Sequence, residues 1–148
     1  MGATFPQALL AGVTGTVALR AFVALRNHVL DRPPPYAARN IAARLARSTL
    51  HHELSPAQAR RWGETMRGIY GPMLGITWAL AREAAPTGPL PPGLLLGLGV
   101  LGLELATFPL LRATEPLRTW STAEHVWLAA QTFVFGIVTE TTFTTLTR

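Results

Sequence analysis

The chain has 148 residues, room for one domain, and its 13 basic residues, all arginine, outnumber 8 acidic ones. Charged residues make up only 14%, well below the roughly 25% of a soluble domain. With no cysteine, disulfides, thiolate catalysis, cysteine–zinc sites and iron–sulfur clusters are excluded, and arginines crowded beside apolar segments point to a membrane surface rather than to nucleic acid.

The first apolar segment is expected to span about 5–25. "MGATFPQALL" has no basic n-region, and the segment continues past Arg20 into "AFVAL", so a retained span is expected rather than a cleaved signal. "DRPPPY" then breaks the helix, because a proline run cannot continue one. Residues about 36–50 read as an amphipathic helix. At 100° per residue Arg39, Arg44 and Arg47 share one arc, opposite Ala38, Ile41, Ala42 and Leu45. Such a helix lies along a headgroup layer with its arginines toward anionic lipid.

"SPAQ" at 55–58 is a helix start, with Ser55 as cap, Pro56 in the first turn and Gln58 completing a capping box. That helix carries Arg60 and Arg61 at the membrane surface and runs on into a second span, 66–83, with a bend expected at Pro72. "EAAPTGPLPPG" (83–93) is expected to be a tight turn. A third span follows at 91–111 and a fourth at 125–146, capped by Ser121 or Thr122 with Glu124 in its first turn. The expected fold is all-α, an integral membrane four-helix bundle in one transmembrane domain, with an additional amphipathic interfacial helix in the first cytoplasmic loop.

Arginine bias sets the orientation. The 26–67 stretch has eight arginines and 112–124 has two, so both are expected in the cytoplasm and both termini outside. Small residues recur at helical spacing. They include Ala8, Gly12 and Gly15, then Gly68, Gly71, Gly75 and Ala79, and on the third span both Gly93/Gly97 and Gly99/Gly102/Ala106. Small faces let helix backbones approach in lipid, either within one chain or between copies or partners in a larger complex.

The intramembrane charges are the candidate site. Arg20 and Glu104 sit at similar depth on spans running the same way, and an interior ion pair is expected between them. Glu140 lies toward the other side, on the stripe Thr132, Gly136, Glu140, Thr144 at i, i+4 spacing. Arg82 ends the second span at that depth and is expected to reach Glu140. Either pair is a structural tie or part of a polar path to which Thr16, Thr107, Gln131 and Thr132 could add. His28, His125 and His51-His52-Glu53 lack metal-ligand spacing, so neither a metal nor another cofactor is expected.

"DRPPPY", "IYGPMLGITWAL" and "EHVWLAAQTFVFGIVTE" resemble segments of the YagU-like small bacterial inner-membrane proteins, over about half of the chain. The resemblance implies a helical membrane protein of the bacterial inner membrane and carries over no catalytic residue. No enzymatic activity is expected. The first function class is a structural or accessory protein that associates through its glycine-rich faces. The alternative is an oligomeric transporter or channel using Glu140, Glu104 and Arg20. A haem-binding or lipid-modifying enzyme ranks third.

Overall fold

A computed structural model describes residues 5–84 and 88–148, apart from the side chain of Glu83. The chain is all-α. Its helices are α1 (Phe5–Leu30), α2 (Ala38–Thr49), α3 (Pro56–Ala84), α4 (Pro92–Leu110) and α5 (Thr122–Leu146), with a 3₁₀ turn at Leu117–Thr119 before α5. Among the described residues α1, α4 and α5 are long and apolar enough to cross a membrane. They make this a multi-pass helical membrane protein. The turn expected at 83–93 lies partly outside the described residues.

Helix boundaries follow local chemistry. Ser121 accepts from the Glu124 backbone N–H while the Glu124 carboxylate accepts from the Ser121 N–H, a complete capping box at the head of α5. Ser55 and Gln58 form the same reciprocal pair before α3. With no breaker until Pro72, α3 runs unbroken for 29 residues, about 43 Å at 1.5 Å per residue. Asp31, His51 and Arg112 follow the ends of α1, α2 and α4 with φ of 48°, 52° and 50°. Each helix thus stops on a left-handed residue, the position glycine fills most cheaply.

The long helices do not close into a ring. α1 packs against α3 and α5, and α5 packs against α1 and α4, giving the order α3–α1–α5–α4. α3 and α4 share no comparable face, so a gap runs between them. This is more open than the expected four-helix bundle. Two side-chain clusters bracket the gap. Trp78, Leu96, Val100 and Phe135 close it near one end. Tyr36, Phe108, Ala113, Trp120 and Leu128 form a second cluster toward the other.

α2 covers that second end. Ala42 and Ala46 are buried, and Ile41 and Leu45 pack on the Tyr36–Trp120 cluster. The apolar side of α2 is therefore taken up by protein, chiefly by α3, and not by lipid alone as its periodicity suggested. Its arginines still point outward: Arg39 and Arg47 are exposed, and Arg44 reaches Glu115 at 3.3 Å.

Small residues set the helix spacings. A Cβ on Gly12 would lie 2.5 Å from the Gly71 carbonyl oxygen and 2.7 Å from Pro72 Cα, and one on Gly75 would lie 2.6 Å from the Ala8 carbonyl oxygen. Across the α4–α5 contact, a Cβ on Gly136 would lie 2.3 Å from the Gly93 carbonyl oxygen. By contrast Gly68, Gly99 and Gly102 face open space. Gly12→Ala must push two backbones apart and is expected to cost about 1–3 kcal/mol. Gly102→Ala meets nothing and should hold stability level or raise it by up to about 1 kcal/mol. Melting of both variants in detergent checks the contrast.

Candidate functional site

The intramembrane polar residues fall into two groups with opposite character. The first is a saturated carboxylate. Glu140 is only 8% exposed, on the face of α5 that carries Thr132 and Gly136. Its Oε1 lies 3.0 Å from Arg82 Nη2 and accepts a 3.0 Å hydrogen bond from Thr144 Oγ1. Its Oε2 accepts a 2.7 Å bond from Trp78 Nε1. Arg82 also lies over the Phe143 ring, 5.4 Å from its centroid. The Arg82 contact is the one that length and depth predicted. Trp78 is the partner missed: a lone tryptophan in an apolar helix does not announce a buried hydrogen bond, yet it is buried here.

The second group surrounds a carboxylate without a partner. Arg20 does not meet Glu104. It pairs with Glu64 on α3 at 2.9 Å, and both side chains are about half exposed (46% and 52%). The reason is azimuth: α1 turns Thr16 and Leu19 toward the space beside Glu104 and Arg20 toward Glu64, so equal depth does not bring Arg20 to Glu104. Glu104 instead faces the gap between α3 and α4. It makes no ion pair, and its buried Oε2 has no hydrogen-bond partner among the described residues. Arg67, from α3, lines the same space, and its positive charge acts on Glu104.

That space is a cavity of about 620 Å³, within the usual range for small-molecule sites. α1 and α5 form its floor through Thr16, Leu19, Gln131, Thr132 and Phe135, while α3 and α4 form its walls. Thr16 and Thr132 spend their hydroxyls on the Gly12 and Ala129 carbonyls of their own helices. Gln131, 7% exposed, makes no side-chain hydrogen bond among the described residues. The four neutral polar residues noted in the sequence, Thr16, Thr107, Gln131 and Thr132, therefore meet around Glu104. Glu140, Arg82 and Arg20 lie outside this cavity. Arg67 and Tyr70, one turn apart on α3, complete it; two polar groups at i, i+3 within an apolar window were the available signal.

At the base of the cavity sits Tyr36, with Arg26 5.9 Å from its ring centroid and Trp120 at 5.3 Å. Arg26 is 1% exposed and donates to the Arg32 carbonyl and to Asn27 Oδ1. Burial pushes the Tyr36 hydroxyl up to about 12, against the pull of the Arg26 guanidinium. The histidines lie apart: His28, His51, His52 and His125 are exposed, and His125 Nδ1 meets the Ser121 carbonyl. Arg60 and Arg61 are exposed at the start of α3.

Comparison with family models, with curated proteins and with solved structures finds no match to this chain.

The two carboxylates should respond oppositely to the same change. Glu140→Met strands Arg82 and the Trp78 indole and is expected to cost about 3–5 kcal/mol. Glu104→Met removes a buried carboxyl whose Oε2 has no hydrogen-bond partner among the described residues and should raise stability by about 1–3 kcal/mol. Thermal melts in one detergent compare them. A raised folded pKa for Tyr36 means its contribution is complete below pH 10 and is lost as pH climbs toward about 12. Tyr36→Phe should flatten that alkaline decline by about 2 kcal/mol, read from denaturation midpoints between those pH values.

Proposed function

We propose that this chain is a non-transporting structural or accessory protein of the bacterial inner (plasma) membrane. In this proposal α3 is the second of four spans, and α2 lies along the headgroup layer. The apolar α1, α4 and α5 and the resemblance to YagU-like proteins support the setting. The exposed Arg39, Arg47, Arg60 and Arg61 belong to α2 and the first turns of α3, a basic stretch suited to the cytoplasmic leaflet and its anionic headgroups. Both termini then lie outside.

The observation that carries the functional reading is the saturation of Glu140. A carboxylate engaged by a guanidinium, an indole N–H and a hydroxyl is a tie between α3 and α5. A transport path needs a continuous polar line, but Trp78, Leu96, Val100 and Phe135 stand between Glu140 and the Glu104 cavity. The open side of α4, with Gly99, Gly102 and the exposed Leu95, Leu98 and Leu103, is where a second copy or a larger complex would pack.

The test is Glu140→Gln in detergent and in proteoliposomes. The variant keeps an acceptor for Trp78 but loses the charge opposite Arg82, so stability should fall by about 2 kcal/mol. Wild-type vesicles should pass protons and alkali cations no faster than empty ones. Flux in the wild type that Glu140→Gln abolishes would overturn the reading in favour of transport.

A further inference from the structure

The cavity between α3 and α4 has features that the Glu140 tie does not explain. It opens sideways, where Ile69 and Met73 of α3 and Leu103 of α4 are 60%, 58% and 44% exposed. In a membrane that mouth faces hydrocarbon. Glu104, whose buried Oε2 has no hydrogen-bond partner among the described residues, lines the inside together with Gln131, whose amide makes no side-chain hydrogen bond among them. A buried polar group without a partner is costly in a packed protein and more so at membrane depth, so its presence here calls for an occupant.

We propose that this cavity holds one neutral amphiphile, a lipid with a hydroxyl head and one or two hydrocarbon chains. Its head meets Glu104 and Gln131, and its chain leaves between α3 and α4 into the bilayer. The charge balance selects the head. Glu104 and Arg67 are the acid and the base of the lining, opposite in formal charge, so a charged head would find no excess counter-charge in a low-dielectric space. A hydroxyl donates to Glu104 Oε2 and accepts from the Gln131 amide or the Arg67 guanidinium. The apolar walls, among them Leu19, Leu74, Val100 and Phe135, suit a chain.

Native mass spectrometry of the detergent-solubilised protein, with monoolein as the probe, tests the proposal. The wild type should carry a single monoolein, with oleic acid and oleylamine retained more weakly. Leu103→Trp fills the mouth from a lipid-exposed position and leaves the helix contacts alone. Glu104→Met removes the acceptor and should leave a fold at least as stable. Each should weaken monoolein retention by about tenfold or more. A wild type that retains no monoolein overturns the proposal. So do adducts that persist equally in both variants, the behaviour of lipid bound around the outside. Tighter retention of oleic acid or oleylamine overturns the neutral head.

Discussion

An ionised carboxylate among packed helices, away from water, has few ways to exist. It must find cations and donors close by, or it destabilises the fold by several kcal/mol. Glu140 meets that constraint completely, through Arg82, Trp78 and Thr144. Its partners come from α3 and from its own helix, so the tie joins two helices that share no broad contact face. The closed end of the molecule depends on this junction.

The junction also bears on the space below it. α3 reaches the rest of the molecule through α1 and α2 along its length and through Glu140 at its end. The α1 contact is set by backbone approach at Gly12, Gly71 and Gly75. On the far side, Gly93, Gly97 and Gly136 do the same for α4 and α5. Two tight contacts on the outer pairs of a four-helix row, with nothing equivalent between α3 and α4, leave a gap of defined width. Glu104 is left alone in it because α1 offers that space Thr16 and Leu19 and spends Arg20 on Glu64.

Elements along the chain were legible in the sequence because their signals are local. The Ser55 and Ser121 boxes, the proline break at 33–35 and the periodicity of α2 each depend on a few neighbouring residues. Depth was legible too, since residue count along a span measures it, and the Arg82–Glu140 contact follows from depth and a long side chain. Azimuth was not. Arg20 and Glu104 share a depth but face different neighbours, and nothing local to either residue reports which helix stands between. For the same reason Trp78 was not legible as a partner of Glu140, α2 read as a helix resting on lipid, and the Glu104 cavity left no trace beyond a set of polar residues scattered over four helices.

Glu140 and Arg82 hold α3 against α5 as an interacting pair. A double-mutant cycle measures their coupling, using unfolding of Arg82→Ala, Glu140→Ala and the double variant in one detergent. A coupling of about 1–3 kcal/mol is predicted, so that the double variant is far less impaired than the sum of the singles. Strict additivity would mean that the two charges stand near one another without acting together, and that Glu140 does not tie α3 to α5.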